Sequence, residues 1–129
     1  MLWYIAVGSA LGGVSRYLVG GMVQRILDTT FPAGTLVVNL TGSFLLGLFL
    51  RYAFETPTLT PEIRGLLTIG FCGGYTTFST FSYETVALLE DGEWTRAVIY
   101  AALSLLLALG ATILGFMVAR GVIALRGSV

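Results

Sequence analysis

Five hydroxyls and two phenyl rings interleave over Thr76-Thr77-Phe78-Ser79-Thr80-Phe81-Ser82, directly after Gly73-Gly74-Tyr75. Each hydroxyl can donate a hydrogen bond. A phenyl ring is negative on its face and positive at its edge, so cations seek the face and small anions the edge. Phe78 and Phe81 are three residues apart and share a helix face. Donors and ring edges in this pattern suit a small anion that has shed its water. Each member also has a duller use, because Ser and Thr in apolar helices bond back to their own backbone and phenylalanine pairs fill cores. Asn39 can donate two hydrogen bonds to an anion or bridge two helices. Arg16 is either a positive field for anions or an anchor that snorkels to a membrane surface. The anchor is expected unless other anion-binding groups converge on it. Glu84 is the one carboxylate deep in an apolar segment, and capping or pairing with a surface arginine is expected of it. Carboxylates are the usual proton and cation sites at membrane depth. Their scarcity tilts the reading toward an anion.

The elements that must position these groups are apolar helices. The chain has 129 residues, 56% of them hydrophobic and 11% charged, and its mean hydropathy is +0.88. Ala97 to Ala119 runs between Arg96 and Arg120 without a charge, and about 20 such residues cross a hydrocarbon core. Four spans fit. The first runs roughly from Leu2 to Ile26, the second from Gly34 to Phe54, the third from Glu62 to Leu89 and the fourth from Trp94. Turns at Asp28–Pro32, Pro57–Pro61 and Glu90–Glu93 separate them. The expectation is an all-α, multi-pass membrane protein, with residues 1–129 forming a single domain and no cleaved signal peptide.

Adjacent glycines loosen a helix, at about 1 kcal/mol each relative to alanine. The third span is therefore expected to break near Gly73–Thr77, at the glycine pair. Non-helical backbone at membrane depth persists only where it is buried in protein or lines a wet cavity, so the break marks a path. Small residues four apart (Gly8/Gly12, Ser43/Gly47, Gly70/Gly74, Ala111/Gly115) permit close helix contact. Four helices enclose little space, so chains are expected to associate. Arg51, Arg64, Arg120 and Arg126 fall at one end of the bundle, Arg25 and Arg96 at the other, with Arg16 joining them if it snorkels. So weak a bias barely orients the chain and would allow insertion both ways.

With no histidine or lysine and only Cys72 as a thiol, one chain holds no disulfide and no thiolate or imidazole metal site. Nothing is suited to ATP use, covalent catalysis or nucleic acid, so an enzyme is not expected.

The stretches Gly34-Thr35-Leu36-Val37-Val38-Asn39 and Gly70-Phe71-Cys72-Gly73-Gly74-Tyr75-Thr76-Thr77-Phe78-Ser79-Thr80-Phe81-Ser82-Tyr83-Glu84-Thr85 resemble the Fluc (CrcB-type) fluoride channels of microbes. Length, four spans and Arg16 in the first helix agree. The resemblance implies passive fluoride export across the cell (inner or plasma) membrane, through an antiparallel, dual-topology homodimer with two pores. It implies that Asn39, Phe78, Phe81, Tyr100 and Ser104 line a pore, with Thr77 and Thr80 among the donors. It also implies a sodium ion at the dimer centre, held by the carbonyls of Gly73 and Thr76. Some members carry a further polar residue one turn past the matching serine, where this chain has Ala108. A small dual-topology drug exporter is the competing expectation. Such exporters resemble a pattern with a glutamate in the first helix, and here that helix has no acid.

Overall fold

The computed structural model describes residues 1–128, which hold helices and turns and no strand. α1 (Leu2–Leu27) and α2 (Ala33–Glu55) have 26 and 23 residues, about 39 and 34 Å at the usual rise. The third segment is composite: α3 (Pro61–Gly65), a π-helical stretch (Leu66–Cys72), α4 (Gly73–Tyr75) and α5 (Phe78–Glu90). α6 (Trp94–Gly127) closes the bundle with 34 residues. By length and hydropathy together, α2 and α6 qualify as membrane-crossing helices. Helix bounds fall within a residue of those read from the sequence, because charged and proline-bearing turns punctuate the apolar runs.

Two glycine-rich seams hold the bundle. Along the first, α1 runs parallel to the π-helix and α4. A Cβ on Gly70 would sit 2.9 Å from the Ile5 carbonyl oxygen, and one on Gly74 2.7 Å from that of Ser9. Along the second, α2 runs parallel to α6. A Cβ on Gly47 would lie 2.6 Å from the Thr112 carbonyl oxygen, and one on Gly115 2.8 Å from the Leu48 nitrogen. The small-residue spacing thus serves backbone-to-backbone packing. Arg96 donates to Thr30 Oγ1 at 2.6 Å, and Arg126 donates to the Tyr52 hydroxyl. These contacts tie the start of α6 to the α1–α2 turn and its end to the end of α2, so Arg96 and Arg126 lie at opposite ends.

The α1–α2 turn is stapled by Gln24, which sequence reading passed over. Its Nε2 donates to the carbonyls of Thr29 (2.6 Å) and Phe31 (2.9 Å), and its Oε1 accepts the Gly34 N–H at 3.0 Å. The last bond satisfies a donor at the start of α2 that has no partner within the helix. The staple also fixes Phe31, whose ring meets Tyr100 edge-on at 5.5 Å. Gln24→Ala removes all three bonds and is expected to cost about 1–3 kcal/mol. Thermal unfolding in detergent measures it, and an unchanged midpoint would discount the staple.

The third segment does not break at the glycine pair. Gly73 is helical (φ −64°, ψ −38°), and the chain first leaves helical geometry at Thr76 (φ −82°, ψ 155°) and Thr77 (φ −147°, ψ 111°). Glycine permits a break without requiring one, and Gly74 is instead needed for its approach to Ser9.

Candidate functional site

At the break, Thr77 has no helical partners for its backbone, and Asn39 on α2 replaces both. Asn39 Oδ1 accepts the Thr77 N–H at 2.8 Å, and Nδ2 donates to the Thr77 carbonyl at 3.1 Å. Asn39 therefore bridges two elements and still has one amide hydrogen free. The helix restarts because Thr77 Oγ1 accepts the Thr80 N–H at 3.1 Å, as a side-chain cap does. Thr77 then gives its own proton to Thr80 Oγ1 at 2.9 Å, so the Thr80 hydroxyl proton remains available.

A cavity of about 350 Å³ opens on one side of this break. Asn39 and Ser43 reach it from α2, Thr76, Thr77, Phe78 and Phe81 from the break and α5, and Ser104, Ala108 and Thr112 from α6. The two phenyl centroids are 5.7 Å apart with planes at 48°. Ser104 Oγ is buried and has no hydrogen-bond partner among the described residues. A hydroxyl left this way costs about 1–3 kcal/mol unless something fills the gap. Phe78 is 79% exposed although it lines the cavity, so one wall of the cavity is uncovered.

A second cavity of about 290 Å³ lies across the break, lined in part by Arg16, Gln24, Thr35, Thr77, Thr80 and Glu84. Thr77 lines both cavities and so stands between them. Arg16 does not snorkel outward as an anchor. Its Nε makes a long 3.4 Å bond to the Gly74 carbonyl, and it shares this cavity with three threonine hydroxyls. Glu84 does not pair with an arginine either; its Oε1 accepts from the Tyr100 hydroxyl at 3.3 Å. Tyr100 is fully buried and lines neither cavity. Its ring packs behind Phe81, centroid to centroid 5.2 Å.

The structure thus brings Asn39, Thr77, Phe78, Phe81 and Ser104 around one space, with Thr80 and Arg16 across the break. Thr76 spends its hydroxyl on the Cys72 carbonyl at 2.9 Å. Ser43 and Thr112 escaped sequence reading as cavity residues, although Ser43 lies one turn from Asn39 on the same face.

Residues 3–116 match the family described as CrcB-like protein, Camphor Resistance (CrcB). The chain belongs to the CrcB family. Among its CrcB relatives, a protein of Geobacter sulfurreducens is 51% identical over 116 residues, covering 90% of this chain and 94% of the relative. One of Geobacter metallireducens is 50% identical over 116 residues with the same coverage. One of Citrifermentans bemidjiense is 47% identical over 119 residues, covering 92% and 96%. All three are named fluoride-specific ion channel FluC. Membership in the CrcB family, with two helices long and apolar enough to cross a membrane, makes this a membrane protein.

Proposed function

We propose that this chain is a fluoride channel, not an enzyme, and that it lets fluoride leave the cell down its gradient. The observation that carries the reading is the Ser104 hydroxyl, buried without a partner at a cavity that also holds Phe78, Phe81 and the Asn39-pinned break. The names of the CrcB relatives supply the identity of the anion. A bare anion in hydrocarbon faces a cost of order 10 kcal/mol or more, so each lost water needs a fixed partial positive charge. The spare Asn39 N–H, the Ser104 and Thr80 hydroxyls and the ring edges provide several weak positions in succession, as conduction demands. Arg16 raises the anion concentration in the second cavity. Tyr100 acts from behind, holding Phe81 and occupying Glu84.

The functional unit is an antiparallel homodimer in the cell membrane, with four spans per subunit and two pores. The exposed wall at Phe78 and the weak arginine bias between the two ends support this reading. A sodium ion would sit between the subunits on the carbonyls of Gly73 and Thr76. The chemistry fits: Thr77 N–H, which would bond the Gly73 carbonyl in a continuous helix, goes to Asn39. Gly73 is also exposed, with no atom nearer than 3.9 Å to an added Cβ. Uncharged carbonyls at unwound backbone suit sodium, which would supply a fixed central charge joining the two subunits. The exporter reading lacks its first-helix carboxylate.

Proteoliposomes loaded with fluoride or chloride test the function. Release of fluoride without a proton gradient, and retention of chloride, is the expected result; equal release of both ions overturns selectivity. Phe81→Ile keeps an apolar side chain and removes the ring edge. It is expected to slow release about tenfold, the size of a lost aromatic contact, while the dimer persists on size exclusion. Undiminished release would refute the ring-edge role.

A further inference from the structure

Five hydroxyl side chains line the larger of the two cavities. Three of its hydroxyls are committed. Thr76 donates to Cys72 O, Thr77 to Thr80 Oγ1, and Thr112 to the carbonyls of Ala108 at 3.0 Å and Ser43 at 3.4 Å. Two are not. Ser104 Oγ is buried and unpartnered, and the Ser43 hydroxyl enters no hydrogen bond among the described residues, although Ser43 lines the same cavity. Along α6, the cavity-lining residues Ser104, Ala108 and Thr112 recur every four positions, so they stack on one face. Only the first offers a proton. The middle one is a methyl group, and the last has turned its hydroxyl back to the Ala108 carbonyl. A fluoride ion leaving Ser104 along this face would meet no donor from α6. Ser43 fills that gap from the facing helix. It sits one turn beyond Asn39 on α2, and the Thr112 bond to its carbonyl places it beside the Ala108–Thr112 turn.

We infer that Ser43 is a fluoride-binding residue, supplying from α2 the hydroxyl that α6 lacks at Ala108. The assignment rests on the fluoride-channel reading above and extends it to one further position of the pore. Fluoride accepts the Ser43 proton after leaving Ser104, while the Ser43 backbone stays held by Thr112. The donor series then alternates between helices, from Asn39 and Ser104 to Ser43.

Fluoride release from proteoliposomes containing the full chain tests it. Ser43→Ala is expected to slow release about tenfold, equivalent to about 1.4 kcal/mol, near the low end for a hydrogen bond to a charged partner. The double variant Ser43→Ala with Ala108→Ser returns a hydroxyl to the same level from the opposite wall. It is expected to recover most of the wild-type rate, which a merely structural role for Ser43 would not produce. Wild-type speed in the single variant, or a double variant as slow as the single one, overturns the assignment. The unaltered chain is the separate control: if it releases no fluoride, the channel reading itself fails.

Discussion

Asn39→Ala is expected to abolish fluoride release and to destabilise the subunit. The side chain satisfies both backbone groups of Thr77, and truncation leaves a part-buried donor and acceptor without their partner. At about 0.5–3 kcal/mol each, the loss is about 1–6 kcal/mol, enough to let the break collapse or rotate. Asn39→Asp separates the two duties. Its carboxylate still accepts the Thr77 N–H, but it faces the Thr77 carbonyl with a second acceptor and gives the cavity a negative charge. It is expected to fold better than the alanine variant and to conduct no better. Liposome release and thermal unfolding in detergent are the paired measurements. Wild-type flux in the aspartate variant would remove the amide from the conduction path.

The second large effect concerns two neighbouring glycines with opposite surroundings. A Cβ at Gly74 meets the Ser9 carbonyl oxygen at 2.7 Å and the Ser9 Cα at 3.0 Å. Both are backbone atoms of a packed helix and cannot step aside. Gly74→Ala should therefore push α1 from the third segment and cost about 1–3 kcal/mol, as overpacking does, and more if the Arg16 bond to Gly74 is lost too. A Cβ at Gly73 meets nothing nearer than the Thr68 carbonyl oxygen at 3.9 Å, so the fold of Gly73→Ala should be unaffected. If the dimer and sodium site proposed above exist, Gly73→Ala is expected to weaken the dimer while leaving the fold of the chain intact. The melting midpoint reads the first variant and size exclusion the second. Equal tolerance of both substitutions would contradict the seam.

How far the sequence could be read depended on the range of the interaction involved. Helix ends were legible because Asp28, Pro32, Pro57, Pro61 and the Glu90–Glu93 run punctuate apolar segments locally. The cavity group Asn39, Thr77, Phe78, Phe81 and Ser104 was legible through the resemblance and through the rarity of polar groups at depth. The break fell inside the expected Gly73–Thr77 window but past its glycine pair, where an amide 38 residues away holds the Thr77 backbone; no local window contains that partner. Arg16 and Glu84 were expected to face a surface because isolated charges do so by default. The cavity and Tyr100, which are products of packing, turned both inward. Gln24 and Ser43 gave little signal, since one polar residue in an apolar run has no characteristic spacing.

The π-helical stretch carries a geometric consequence of its own. Gly73 N–H reaches back five residues to the Thr68 carbonyl, so a turn there holds a surplus residue relative to an α-turn. One residue corresponds to about 100° of rotation about an α-helix axis. Leu66–Cys72 therefore works as a phase shifter, setting the azimuth of everything that follows until the chain unwinds at Thr76. Past that stretch, Gly74 points at α1 while its exposed neighbour Gly73 points away from it.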